Sequence, residues 1–599
     1  MGLKNILSTL AHIPTLLEVT KETKVRPLTT ADCLAARVER TAARFPGHPA
    51  VIFEGQSLTW MELNARANQC SSALRAHGLV AGDAVSLIME NRIEFLTSLI
   101  ALNKLGTIVA LINTNLTGSP LIHCIKVSKS KMCIFGEERL QAITDVQSDP
   151  DLDSIKHWLF SADAGKLPCP AWATSLEGGE EDTNPAQTNH NTLADVALYM
   201  YTSGTTGLPK ASIITNRRFL LSSALSYKAG IKCKENDCIY LCLPLYHGTG
   251  LFLGAGAAFS SGACMFIRRK FSGSNFLREV REHNATCFIY IGELCRYLLN
   301  IPAQADDHKN SLTRMMGNGL RPDVWHEFKT RFGVKRIAEF YGSSEGNVAF
   351  VNMLNKDCTV GTTSVPIALV KYDIDADEIV SDENGHCVVV PDGEPGLLLG
   401  KITEKTTFEG YTSKEATDKK ILRDIFERGD AWFNTGDLMK TVDVGFSLGL
   451  PHFQFVDRVG DTFRWKSENV STNEVGEIIN AENQIDFCNV YGVDIPKADG
   501  RAGMASLVLA EGLDTLNVEV FSRYISRHLP TYARPVFLRI QSELDTTGTF
   551  KMVKGELRKE GYDLDQVNDP IFVLKPRSDT YERLTADFAA TLQAGEAGY

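Results

Sequence analysis

The sequence predicts an α/β fold: a large N-terminal domain of mainly parallel sheets with flanking helices, followed by a small α+β C-terminal domain. Three observations predict it. Helical and strand-like patterns alternate between residues 30 and 135, an order that argues for parallel sheets covered by helices. The same rhythm resumes after Asp195. From about residue 455 the texture changes, and the short elements that follow suffice for one compact unit of ordinary size. A chain of 599 residues is too long for a single core, in keeping with this division.

Residues 1–25 read as an N-terminal helical extension, with Leu3, Ile6, Leu7, Leu10 and Ile13 at helical spacing. Two readings fit. The helix packs on its own domain, or it lies on a membrane surface, where only Lys4 offers early positive charge. Ser8, Thr9 and His12 interrupt any signal-peptide core, no small-residue cleavage site follows, and Ile6 breaks the myristoylation pattern. Helices are expected at Ala36–Phe45 and Trp60–His77, and strands at Ala84–Met89 and Ile108–Ile112. The most apolar long window, Phe95–Ile112, is broken by Asn103, Lys104 and Gly106 and falls short of the ~20 apolar residues of a membrane span. It reads as a buried helix followed by a strand. Residues 145–192 are polar and include Glu177-Gly-Gly-Glu-Glu-Asp, and so read as a connecting excursion.

Four short strands follow: Ile239–Leu243, Thr286–Tyr290, Arg314–Met316 and Ile337–Phe340. Each runs into small or polar residues, and ligands of open α/β sheets gather beyond the carboxyl ends of strands. The domain boundary falls near Asp457–Gly460, giving a large domain over 26–457 and a small one over 461–599. In the small domain, Glu474–Glu482 and Val518–His528 read as helices, and Phe487–Val493 and Ala505–Ala510 as strands. Residues 577–599 read as a peripheral tail, and no internal repeat is visible.

Composition narrows the function classes. The apolar fraction of 44% and charged fraction of 23% are those of a globular protein. A net charge of −11 without any basic run argues against nucleic acid as a partner. The 14 cysteines are scattered without a C-x-x-C pair, which suggests reduced buried thiols rather than a zinc site or a disulfide framework. A cytoplasmic location, at most peripheral to the inner face of a membrane, follows as an expectation.

The most informative segment is 201–210. The apolar strand from Val196 runs into Thr202-Ser203-Gly204-Thr205-Thr206-Gly207, then Leu-Pro-Lys210. Gly204 and Gly207 let the backbone turn its N–H groups toward one point, three hydroxyls (Ser203, Thr205, Thr206) add donors, and Lys210 adds charge. Such a loop suits a polyphosphate. It is not a Walker loop: only two residues separate the glycines, and Ala211 follows the lysine. Ala211–Ile214 reads as a further strand, so a helix dipole is not the main anion holder.

Tyr-Thr-Ser-Gly-Thr-Thr-Gly-Leu-Pro-Lys at 201–210 resembles the phosphate loop of the adenylate-forming enzymes, which comprise acyl-CoA synthetases, peptide-synthetase adenylation domains and luciferases. The resemblance runs from about residue 30 to about residue 575. Leu243-Pro-Leu-Tyr-His-Gly-Thr-Gly resembles the family's aromatic-His motif, which implies that Tyr246 and His247 border the carboxylate and the acyl channel. Gly317-Asn318-Gly319-Leu-Arg resembles the segment that covers the adenine. Tyr341-Gly342-Ser343-Ser344-Glu345-Gly-Asn implies an aromatic on the adenine, Ser344 on the α-phosphate and Glu345 on Mg²⁺. A carboxylate beside a triphosphate makes sense only with a hard cation between them, and Thr205 is the expected second metal ligand. Phe433-Asn-Thr-Gly-Asp-Leu resembles the ribose motif, with Asp437 accepting from the ribose hydroxyls and Arg458 its expected partner. Thr546-Thr-Gly-Thr-Phe-Lys resembles the motif of the adenylation lysine, which assigns Lys551, with Lys554 as the competing candidate.

Two segments, Asp457–Thr472 and Val490–Ala505, resemble the fatty acid transport protein and very-long-chain acyl-CoA synthetase branch, as does Asn347. The branch usually carries glycine where Ser467 stands. The resemblance puts Lys466, Ser467 and Glu468 along the path of the CoA arm, so a serine there bears on thioester formation rather than adenylation. The resemblance implies a fatty acyl-CoA ligase that uses ATP, Mg²⁺ and CoA, in which Lys210, His247 and Lys551 are catalytic and the small domain swings on a hinge near 457–461. An acyl-AMP ligase serving a carrier protein, a CoA ligase for another acid, and a lipid-binding protein at a membrane are the alternatives. The expected partners are small molecules, with a membrane surface and a second copy of the chain left open. Leu251–Phe259 reads equally as an acyl-channel lining or a buried helix.

Overall fold

The computed structural model describes residues 3–163, 167–176, 178–202, 209–373, 378–465, 468–498, 500–543 and 554–599. Among these, apolar strands assemble into two large sheets. One has the spatial order Thr174–Ser175, His157–Ser161, Met132–Gly136, Ala84–Ile88, Ile108–Leu111, Val196–Thr202, Lys210–Thr215. It is parallel except for the last pair, an antiparallel hairpin. The other runs Ala349–Val351, Arg336–Gly342, Arg314–Asn318, Cys287–Ile291, Cys238–Leu241, Cys264–Ile267, Pro49–Phe53, Gln56–Thr59. Its six inner strands are parallel and its two edges antiparallel. The expected α/β architecture is present.

The helix Ile93–Lys104 explains how the two sheets share one core. All its residues except Glu94 are buried, and residues of both sheets join it in a single apolar cluster. Its polar end is satisfied inside the protein: Lys104 pairs with Glu39, and Asn103 accepts from the Ala35 N–H at 2.8 Å. The neighbouring helix Trp60–Ala76 starts where a capping box allows, Thr59 and Glu62 satisfying each other's backbone N–H.

A third, antiparallel sheet contains Ile367–Val370, Gly396–Lys401, Ala431–Val442, Ile421–Arg423 and His452–Arg458. Beyond it, Ile485–Asp494, Arg501–Leu509, Phe537–Gln541, Ile571–Val573 and Glu582–Arg583 form a smaller C-terminal sheet. The helices Thr472–Asn480 and Val518–His528 pack with it around a separate core. The helix Gly292–Asn300 of the large region meets this unit: Arg296 donates to the Asp486 carbonyl at 3.1 Å, and Tyr297 lies 4.9 Å from the Phe487 ring.

Two sequence expectations need correction. Residues 577–599 are not a peripheral tail. Tyr581, Leu584, Ala589 and Leu592 are buried in the C-terminal core, and Glu582–Arg583 is the last strand of its sheet. Residues 145–192 are more than an excursion, because His157–Ser161 and Thr174–Ser175 extend the first sheet at its edge.

The N-terminal helices, Leu3–Leu10 and Ile13–Glu22, are held by polar contacts. The Lys356 ammonium donates to Asn5 Oδ1 at 2.6 Å, Thr9 Oγ1 at 2.9 Å and the Phe446 carbonyl at 2.7 Å. Lys232 donates to Thr15 Oγ1 at 2.7 Å. Leu7, Leu10, Ile13 and Leu17 are turned to solvent instead. No helix among the described residues is long and apolar enough to cross a membrane.

Candidate nucleotide and acyl site

The strands Val196–Thr202 and Lys210–Thr215 form a hairpin in which Thr202 pairs directly with Lys210. Ser203, Gly204, Thr205, Thr206 and Gly207 lie outside the described residues, but both flanks are anchored on one helix, Gly118–Ser128. The Tyr201 hydroxyl donates to the Cys124 carbonyl at 2.6 Å, and His123 Nε2 lies 3.0 Å from the Pro209 carbonyl. His123 was not singled out from the sequence, because a lone histidine in an apolar helix carries no pattern.

Beside the hairpin lies Tyr411, also missed. The Lys210 ammonium sits 5.8 Å from the centre of its ring. Burial, followed by the nearby Glu345 charge, raises the pKa of its hydroxyl. Gly410, at φ +70°, makes the turn that brings Tyr411 in. The Gly-Tyr pair was the one available signal. Lys210, Thr202, Glu345 and Tyr411 therefore converge on one point.

Glu345 stands in the turn after the strand Arg336–Gly342. The Ser343 hydroxyl accepts from the Gly346 N–H at 3.0 Å, which shapes the turn around Ser344. A Cβ on Gly346 would press on the Ser343 hydroxyl and on the Phe433 ring, the latter at 2.5 Å. Arg218, on the helix Asn216–Ala224, donates to the carbonyls of Ser343 at 2.7 Å and Glu345 at 3.2 Å. A charge on a helix ordinarily reads as a solvated face, so Arg218 also escaped the sequence reading.

Tyr341 is the next-to-last residue of the strand Arg336–Gly342, and its hydroxyl donates to Asp437 Oδ2 at 2.5 Å. Asp437 lies within the long strand Ala431–Val442, two residues past Thr435, whose hydroxyl accepts from the Asp437 N–H at 3.1 Å. Arg458 is directly opposite on the next strand, its Nε 3.7 Å from Asp437 Oδ1. Burial raises the Asp437 pKa, opposed by the Tyr341 hydrogen bond and the Arg458 charge.

Gly317 and Gly319 have packing reasons of their own. A Cβ on Gly317 would meet the Tyr290 carbonyl of the next strand at 2.0 Å, and Gly319 turns at φ +77°. Gly292 approaches so closely that a Cβ on it would lie 1.7 Å from the Gly319 carbonyl. The Glu339 carboxyl, fully buried, accepts from the Leu320 N–H at 3.0 Å and from the Tyr290 hydroxyl. It braces the turn from below.

Asn318 links this turn to the next motif by accepting from the Thr249 hydroxyl at 3.1 Å. Two residues before Thr249 stands His247, and before it Tyr246, nearly buried. Burial pushes the Tyr246 hydroxyl up to about 12. Asn91 clamps the turn ahead of them, donating to the Leu243 carbonyl and accepting from the Leu245 N–H, both at 2.8 Å. The following segment, Thr249–Ala255, is a buried π-helical turn, and a Cβ on Gly254 would meet Leu241 at 2.6 Å.

Lys466, Ser467 and Lys551 lie outside the described residues, while Glu468 begins the short strand Glu468–Val470. Lys554 is described. Its ammonium donates to Thr472 Oγ1 at 2.8 Å and stands 3.6 Å from Asp461, at the expected hinge.

The sequence pattern of the AMP-binding enzyme family matches residues 38–412. The chain is 38% identical to the medium/long-chain-fatty-acid–CoA ligase FadD6 of Mycobacterium tuberculosis, covering 92% of this chain and 90% of that one. It is 39% identical to long-chain fatty acid transport protein 2 of Rattus norvegicus, covering 91% and 88%. Among solved structures, ATP-bound MatB from Rhodopseudomonas palustris superimposes with a TM-score of 0.72 at 21% identity, covering 88% of this chain and 99% of that one. The anthranilate CoA ligase AuaEII with anthranoyl-AMP gives 0.72 at 20% identity, covering 89% and 98%. At these identities the two structures establish the shared fold.

Proposed function

The chain belongs to the AMP-binding enzyme family, and from that premise we propose that it is an ATP-dependent fatty acyl-CoA ligase working through an acyl-AMP intermediate. The observation that carries the proposal is the meeting of Lys210, Thr202, Glu345 and Tyr411 at the phosphate hairpin, with Tyr341 and Asp437 joined beside it. The likeness to FadD6 and to the fatty acid transport proteins points to a long aliphatic acid.

In the proposed reaction the acid's carboxylate attacks the α-phosphorus of ATP and pyrophosphate leaves. Lys210 holds phosphate oxygens, and Lys551 steadies the charge that builds between carboxylate and α-phosphate. Such a step is accelerated mainly by positioning and charge stabilisation. The Gly317–Gly319 turn and Tyr341 bound the adenine, Ser344 meets the α-phosphate, and Asp437 and Arg458 hold the ribose. Tyr246 and His247 flank the acyl carboxylate. The half-buried Glu345 carboxylate, with the Tyr411 hydroxyl near it, offers only oxygen donors, which fits Mg²⁺. With Thr205 it would hold that ion, whose charge would neutralise phosphate oxygens. A CoA thiolate then attacks the acyl carbon and AMP leaves, with Lys466, Ser467 and Glu468 along its path and residues 461–599 turning about the hinge as a unit distinct from 26–457.

An assay of AMP release over fatty, bile and aromatic acids, with and without CoA, tests this reading. Acyl-CoA from long fatty acids is the expected product. AMP without thioester would favour transfer to a carrier protein, and no AMP with any acid would overturn the enzyme reading.

We also assign the N-terminal helices to peripheral contact with the inner face of a membrane. Leu7 is 57% exposed and Leu17 68%, while the polar face of the same helices is bonded to the protein. An apolar stripe beside exposed Lys21 and Lys24 suits an anionic lipid surface. Flotation with anionic liposomes should be lost on deleting residues 1–20. A homodimer remains part of the proposal, tested by light scattering.

A further inference from the structure

We infer that Arg218 is a positioning residue, whose guanidinium holds the Ser343–Glu345 turn so that the Glu345 carboxylate stays near Tyr411, beside the phosphate hairpin. The inference rests on the reading of Glu345 as the Mg²⁺-holding carboxylate.

Arg218 occupies an unusual place for a cation. It lies three residues past the strand that begins with Lys210, and its own N–H donates to Thr215 Oγ1 at 3.3 Å, fixing the start of the helix. Thr215 is in turn bound to Glu409, its N–H donating to Oε2 at 3.1 Å and its hydroxyl to Oε1 at 2.7 Å. Arg217 stands 3.5 Å from the same carboxylate. The base of the phosphate strand, the helix start and the 407–411 segment thus form one polar network around Glu409. That segment ends at Tyr411, the residue near Glu345.

Arg218 carries the network to a third loop. Its two terminal nitrogens donate to the carbonyls of Ser343 and Glu345, which flank Ser344. One planar group therefore fixes two peptide units of the turn at once, which a lysine, with a single nitrogen on a flexible stem, does not reproduce. Burial weakens the guanidinium's hold on its proton, and the charges of Glu409 and Glu345 counter that effect. Arg218 thus fixes Glu345 through its backbone, while the Glu345 charge acts on the nearby Tyr411 hydroxyl.

The test compares Arg218→Lys, Arg218→Ala and Glu345→Gln in the full chain. Mn²⁺ binding is read by water-proton relaxation in the presence of ATP, and metal-free ATP binding by a fluorescent ATP analogue with EDTA. Loss of the fork should weaken Mn²⁺ binding on the order of tenfold, the equivalent of one to two hydrogen bonds. Metal-free nucleotide binding should be unchanged and, at saturating Mg²⁺, Arg218→Lys should recover most of the kcat. Unchanged Mn²⁺ binding in the Arg218 variants, with Glu345→Gln impaired, overturns the positioning role alone. Unchanged Mn²⁺ binding in Glu345→Gln removes the underlying reading instead. Equal weakening of Mn²⁺ and metal-free ATP binding signals general distortion and also overturns the inference. Arg218→Lys keeps the test available should Arg218→Ala fail to fold.

Discussion

The Tyr341 hydroxyl donates to the Asp437 carboxylate across 96 residues of sequence, so the aromatic proposed for the adenine and the acid proposed for the ribose act as one unit. Asp437 needs that donor, because burial already raises its pKa and disfavours its charged form. Tyr341→Phe should raise it further. We expect the KM for ATP to rise about tenfold at neutral pH, with kcat changed less, since a hydrogen bond to a charged group is lost. The defect should deepen as pH falls, because the carboxylate takes up its proton at a higher pH than in the wild type. KM measured from pH 5.5 to 8 checks this, and an unchanged KM speaks against Asp437 as a ribose acceptor.

Two glycines of the site should behave oppositely. Gly317→Ala places a methyl 2.0 Å from a strand carbonyl, so it should cost folding itself, seen as poor recovery and a lowered Tm. Gly346→Ala pushes against the Phe433 ring and the Ser343 hydroxyl, which can shift. It should leave Tm within about 4 °C, equivalent to roughly 1–2 kcal/mol, yet lower kcat/KM by about 100-fold through a displaced Glu345.

Glu339 supplies a pH dependence of stability. Burial pushes its carboxyl up to about 8 from an ordinary value of 4.5, against the opposing hydrogen bonds from Tyr290, Leu320 and Gly319. Between those two values the folded protein holds a proton that the unfolded chain has released. Stability from this group is therefore full below about 4.5 and is lost progressively as pH rises to about 8. Glu339→Gln should flatten that part of the profile, measured as the difference in Tm between pH 6 and pH 8.5.

The two candidate lysines separate by half-reaction. Lys554 is engaged with Thr472 and Asp461. Lys554→Ala should loosen the hinge and alter both adenylation and thioester formation by about threefold to tenfold, the worth of one charged hydrogen bond. Lys551→Ala should abolish adenylation while sparing thioester formation from supplied acyl-AMP. Loss of both steps in Lys551→Ala, or of neither, would remove it from the adenylation role.

Much of this was legible because local and tertiary signals agree. Val518–His528 is the helix expected, capped by Asn517 and closed by Arg527 and His528. The strands expected at 84–89, 108–112, 239–243, 286–290, 314–316 and 337–340 are present, whereas the parallel strands Pro49–Phe53, Met132–Gly136, His157–Ser161 and Cys264–Ile267 were not anticipated. Residues 577–599 were misread because the strand Glu582–Arg583 is two residues long and exposed, and exists only by pairing with Phe572 and Val573. At the site, residues inside compact motifs could be read. Arg218, Glu409, Tyr411 and His123 could not, because each is isolated in its own segment and acquires meaning only from loops distant in sequence.

The helix Gly292–Asn300 touches the Gly319 turn at its first residue and the C-terminal unit along its length, through Arg296 and Tyr297. One short helix thus carries both contacts. A displacement of this one helix would therefore be felt at the Gly319 turn and at the C-terminal contact together.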